Sequence, residues 1–106
     1  MTNQTGEQQN GLSIDDVRRE ERGTSGGRWV ASLDGHEAEM TYSRASAVLI
    51  IIDHTGVPDA LRGRGVGQVL VQRAVADARR EGLKILPLCP FAKGQFERHP
   101  EWRDVL

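Results

Sequence analysis

Gly63, Gly65 and Gly67 alternate with Arg62, Arg64 and Val66, then give way to an apolar-rich stretch over 66–78. Glycine is entropically costly at a helix start, so several in succession suit a place where a ligand approaches the main chain more closely than a side chain permits. The first N–H groups of a helix have no intrahelical partners and carry partial positive charge, which suits phosphate. Spacing separates the phosphate-binding layouts. A P-loop needs Lys followed by Ser or Thr after its last glycine, where this chain has Gln68 and Val69. The pattern GxGxxG fails because Gln68 and Leu70 stand where the last glycine is required, and no acidic residue lies at the ribose-binding distance. What fits is R-x-x-G-x-G, read as Arg62, Gly65 and Gly67. Pairing glycines with arginines favours a more anionic guest than a Rossmann site takes. Arg62 and Arg64 either make charge-assisted contacts to phosphate oxygens or form a solvated pair beside the turn. The glycines themselves can also be an ordinary turn and helix entry with no ligand.

The remaining composition narrows the chemistry. Cys89 is the single cysteine, so there is no internal disulfide framework, and His36, His54 and His99 are scattered without a ligand pattern, so no metal site is expected. The formal net charge of -1 gives no general pull toward nucleic acid or an anionic membrane. The first residues lack an apolar core and the longest apolar run, AVLIII, is too short to span a bilayer. A cytoplasmic protein is therefore expected, with Asn3 a chance glycosylation match. At 106 residues there is room for one small domain.

The elements that must position the glycines follow from periodicity. Residues 1–11 read as a disordered polar tail and 12–106 as a single domain. Ser13 with Asp16 can cap a helix, or the stretch can be an edge strand. Trp29, Ala31 and Leu33 alternate with polar neighbours, Asp34–Gly35 supplies a tight turn, and Ala38, Met40 and Tyr42 resume the alternation, predicting a β-hairpin. The apolar, mostly β-branched run 48–52 predicts a central strand buried on both faces. Beyond the glycines, Val66, Leu70, Ala74 and Ala78 share one side of a long helix, with Gln68, Gln72 and Arg79 opposite and Gly82 as its left-handed cap. A strand ending in prolines and a short helix over about 91–98 complete an α/β domain. No apolar stripe is left over, so a monomer is expected.

With the buried strand, glycine turn and amphipathic helix in this order, the sequence resembles the GNAT superfamily of N-acetyltransferases, most closely its small single-domain, YjdJ-like branch. The stretches HTGVPDALRGRGVG, GLKILPLCPF and HPEW carry the resemblance, which covers most of the chain from about Ile14. It implies a mixed, mostly antiparallel sheet with a long helix after the glycine turn and a short C-terminal helix, and it favours a first strand over 14–20. It also implies acetyl-CoA as donor, no metal, and an amine acceptor attacked directly in a ternary complex. The main chain of Arg62, Gly63, Arg64, Gly65, Val66 and Gly67 is then the pyrophosphate cradle, and Val57 offers main-chain hydrogen bonds to the pantetheine arm or acetyl carbonyl.

The chemistry that resemblance implies makes demands on side chains. A lysine-like amine is neutral about once in 2,500 molecules at pH 7, a deficit of about 4.6 kcal/mol that a base or desolvation must offset. Larger members of the superfamily protonate the leaving thiolate with a tyrosine on the helix after the last core strand. That helix has Phe91 and Phe96 here, Tyr42 is the single tyrosine, and the hairpin turn leaves no room for the usual acceptor-binding arm. Cys89, where the resemblance implies that strands splay, is either a proton donor or transient acetyl acceptor, or a buried small apolar residue. His54 is either a base or a structural hydrogen-bonding group. His99 and Trp102 read as packing residues. A non-catalytic acyl-CoA-binding module is the competing reading.

Overall fold

The structure is a computed structural model that describes residues 10–106; positions 1–9 of the tail expected over 1–11 lie outside them. Asn10, inside the expected tail, donates from Nδ2 to the carbonyl of Arg64 at 2.6 Å. Ser13 does cap a turn, but a single 3-10 turn over Ile14–Asp16, closed by reciprocal Ser13–Asp16 hydrogen bonds. A strand follows only from Arg18, so the first strand expected over 14–20 starts four residues later, after this turn.

Five strands lie in chain order, β1 (Arg18–Arg22), β2 (Gly26–Leu33), β3 (His36–Arg44), β4 (Leu49–Gly56) and β5 (Lys84–Pro87). The first four pair antiparallel and β5 pairs parallel to β4. β2 and β3 form the expected hairpin, with Asp34 and Gly35 at φ of 53° and 80°, a turn whose twist matches its strands. α1 (Val66–Glu81) is the crossover between β4 and β5, and α2 (Pro90–Arg98) follows β5. Gly82 ends α1 in the left-handed conformation.

Both helices cover the same sheet face. Trp29, Ala31, Ala38, Met40, Tyr42, Ile50 and Ile52 pack there against Val66, Val69, Leu70, Ala74 and Ala78, with Phe96, Trp102 and Val105 closing the core. Each fully buried large side chain contributes about 1.5–3 kcal/mol. Among the described residues the other face carries no helix. It holds a lattice of ion pairs, Arg18 with Glu20 and Glu37, and Arg28 with Glu20 and Glu39. β4 is consequently not buried on both faces as expected: Ile50 and Ile52 are buried, Leu49 and Ile51 half-buried, and Val48 is 60% exposed.

One polar group is sunk under the sheet. Asp77 of α1 accepts from Trp29 Nε1 at 2.9 Å, from Arg80 at 2.6 Å, from Arg73 at 3.1 Å and from Arg19 at 3.3 Å. Burial pushes its carboxyl up, but the Trp29, Arg80 and Arg73 donors outweigh burial and hold it below the ordinary carboxylate range.

Candidate functional site

The site begins where β4 and β5 part. Their last paired residues are Ile52 and Pro87; the amides of Leu88 and Cys89 then both donate to the Ile52 carbonyl, at 3.1 and 3.2 Å. Pro87 has no N–H to extend the ladder, and Pro90 at the first turn of α2 leads the chain away. Residues 53–56 of β4 are left without a neighbour on that side, and an unpaired strand edge offers main-chain hydrogen bonds.

Opposite that edge stands the N-terminus of α1. Gly63 and Gly65 have φ of 77° and 75°, the left-handed region that disfavours larger residues, and Gly65 is the N-cap. No side chain caps the helix, and no acidic residue sits in its first turn. The bond from Val69 N to the Gly65 carbonyl, 3.3 Å, opens the helical ladder, so the amides of Val66, Gly67 and Gln68 precede it without helical partners. Gly67 is a glycine for a different reason: a Cβ there would lie 2.6 Å from Cζ and 2.9 Å from Cε2 of Phe91. The fold alone therefore accounts for the backbone at 63 and 65 and for the close approach at 67.

Between the open edge of β4 and the start of α1 lies a cavity of about 660 Å³. Val57, Arg62, Gly63, Gly65, Val66 and Gly67 line it, as does Thr55. Of the expected cradle residues Arg64 is the exception. Its guanidinium reaches across to Asp34 in the hairpin turn at 2.6 Å, whereas Arg62, 73% exposed, pairs only with Asp59 at 3.1 Å. Leu61, Gln68, Phe91 and Gln95 complete the wall and were not legible as site residues. Gln68, opposite the apolar stripe of its helix, is nonetheless only 6% exposed. A polar residue on a helix flank signals solvent by periodicity, and periodicity carries no information about a cavity.

Cys89 does not line that cavity. Its Sγ lies 3.2 Å from Thr55 Oγ1 and accepts the Ala92 amide of α2 at 3.3 Å, so Thr55 stands between the sulfur and the cavity. His54 goes to the other face. Between Tyr42 and Thr41 the partner on β4 jumps from Ile52 to His54, leaving Asp53 as an extra residue. That bulge reverses the alternation: Thr55 pairs with buried Met40, and exposed His54 pairs with Thr41. On the open face a second hollow of about 400 Å³ is lined by Arg28, Glu37, Glu39, Gly56, Val57 and Pro58, so Val57 is common to both. His54 Nε2 sits 3.3 Å from where a Cβ on Gly56 would be, at the border of this second hollow.

Tyr42 is far from offering a proton to the cavity. Its hydroxyl donates to Glu21 and accepts from Arg19 Nε at 3.1 Å, and burial, with Glu21 beside it, pushes it above its ordinary range. His99 and Trp102 do pack together, their rings stacked 4.1 Å apart. Among the described residues no group of His, Cys, Asp and Glu is arranged to hold a metal, and no helix is long and apolar enough to cross a membrane.

Residues 28–105 match the family model for GCN5-related N-acetyltransferases. A GCN5-like protein from Staphylococcus aureus, solved by NMR in solution, is 35% identical and superposes with a TM-score of 0.65, over 85% of this chain and 87% of that one.

Proposed function

This chain belongs to the GCN5-related N-acetyltransferase family, whose members generally take the acetyl group from acetyl-CoA, and we propose that it passes that group to an amine by direct attack in a ternary complex. The observation that carries the proposal is the convergence of the α1 amides, Arg62 and the open edge of β4 on one cavity. Those features fit the coenzyme. Uncapped amides and an exposed guanidinium suit a diphosphate, and a strand edge walled by Leu61, Val66 and Phe91 suits a narrow pantetheine arm. Bound there, the coenzyme supplies an activated thioester. Each helix-terminus contact contributes about 0.3–1 kcal/mol, so several donors must act together.

The residues at the thioester end divide between two faces. The main-chain N–H near Val57 donates to the developing oxyanion, an interaction worth about 2.7–4 kcal/mol where one such donor is removed. Val57 lines the second hollow as well, and an amine entering on that side passes Glu37 and Glu39; His54, whose Nε2 lies beside Gly56, is the base the proposal assigns to it. Thr55, which lines the cavity and whose hydroxyl contacts Cys89 Sγ, is the group we assign to the leaving thiol. The proposal takes the chain as a cytoplasmic monomer of the small single-domain branch.

Free-thiol release from acetyl-CoA with a panel of amines tests it. Release above buffer with at least one amine is expected. Coenzyme binding without release by any amine favours the non-catalytic acyl-CoA-binding module, a reading supported by Cys89 lying behind Thr55 and by Tyr42 being engaged elsewhere.

A further inference from the structure

Three polar residues are buried among those described, Gln68, Asp77 and Gln95. Asp77 is saturated by four donors. Gln95 is the opposite case. Its Oε1 is buried with no hydrogen-bond partner, and Gln68 beside the same cavity is 6% exposed. Gln95 is 5% exposed, and the two residues come from different helices, α2 and the first turn of α1. Both line the same cavity.

A fold that satisfies Asp77 so fully has no use of its own for the orphaned acceptor of Gln95, since Met or Leu fills such a position without one. Its partner comes with whatever occupies the cavity. A carboxamide presents one acceptor and two donors, the complement of a secondary amide, and matches neither the charge of a diphosphate nor a bare acyl chain. The terminal torsion of glutamine is broad, so a rotation at Gln95 turns its carbonyl toward the cavity without moving α2.

We infer that Gln95, assisted by Gln68, reads the amides of the pantetheine arm: Gln95 Oε1 accepts an amide N–H and Gln68 Nε2 donates to an amide carbonyl. The inference rests on the coenzyme reading above and adds to it a selectivity for an amide-bearing arm. Gln95 becomes a positioning residue, fixing the depth of the arm and hence where the thioester stands relative to Val57 and Thr55.

The test uses calorimetry with coenzyme A and with 3′-phospho-ADP, its nucleotide half, together with thermal melting of the free protein. For Gln95→Met, coenzyme A affinity is expected to fall roughly five- to tenfold, affinity for 3′-phospho-ADP to stay unchanged, and the melting temperature of the free protein to rise. Gln68→Met, on the other helix, is expected to give the same selective loss. Unchanged coenzyme A affinity in Gln95→Met overturns the inference and assigns the orphaned oxygen to a buried water. Equal loss of both probes also overturns it. Wild-type protein that binds neither probe overturns the coenzyme reading itself.

Discussion

Replacing Gly67 by alanine sets two opposing effects against each other. Alanine is favoured over glycine in a helix by at most about 1 kcal/mol. Against this, the new Cβ falls 2.6 Å from Phe91 Cζ and 2.9 Å from Cε2, so the ring must move. Phe91 is 39% exposed and can swing outward, giving up part of its remaining apolar contact. At 25 cal/mol per Å², losing some 40 Å² of burial costs about 1 kcal/mol. The expected net change for Gly67→Ala is therefore within about 0.5 kcal/mol of zero. In a Phe91→Leu background the ring is gone and the helical preference is released, so the same substitution is expected to stabilise by up to about 1 kcal/mol. The coupling between the two sites, about 1 kcal/mol, is read from urea unfolding of the four proteins in a double-mutant cycle. A coupling below about 0.3 kcal/mol refutes the assignment of Gly67 to the ring.

The other predictions concern the arginines, the buried carboxylate and the thiol. Arg62→Ala is expected to lower coenzyme affinity roughly five- to tenfold, with the loss shrinking at high salt, whereas Arg64→Ala, which breaks a pair with Asp34, leaves calorimetric affinity nearly unchanged. Asp77→Ala is expected to destabilise by about 3 kcal/mol in denaturant titration, because Trp29 Nε1 and three arginines lose their acceptor. Because the Asp77 carboxyl is held below its ordinary range, its contribution is complete above pH about 4 and is lost as pH falls through the folded-state value. The wild-type protein should therefore lose more stability than Asp77→Ala in acid titration. Cys89→Ala is expected to cost about 1 kcal/mol as a lost helix cap and, if its thiol relays a proton through Thr55, to slow thiol release. Unchanged turnover discards Cys89 as proton donor and as acetyl acceptor.

What the sequence made visible was local. The Asp34–Gly35 turn, the alternation on either side of it, the apolar stripe of α1 and its Gly82 stop all depend on residues close in the chain, and each recurs in the fold. The features that escaped it depend on distant partners. A strict alternation along β4 sends His54 and Ile52 to the same face, and only the pairing with β3 reveals the extra residue that separates them. Arg64 sits in the glycine turn, but its partner is thirty residues upstream. Gln68 and Gln95 look like solvent-facing polar positions until two helices and a strand edge enclose a space around them. Cys89 is legible as a special position at the end of β5, and the intervening Thr55 is not.

The central claim is that the uncapped start of α1 holds the coenzyme diphosphate. The most direct measurement is the backbone amide spectrum of labelled protein during titration with coenzyme A. Saturable shifts centred on Gly63, Gly65, Val66, Gly67 and Gln68, with a second group at Thr55 to Val57, are the predicted result. A titration to millimolar coenzyme that leaves these amides in place, or moves only amides elsewhere in the sheet, contradicts the account.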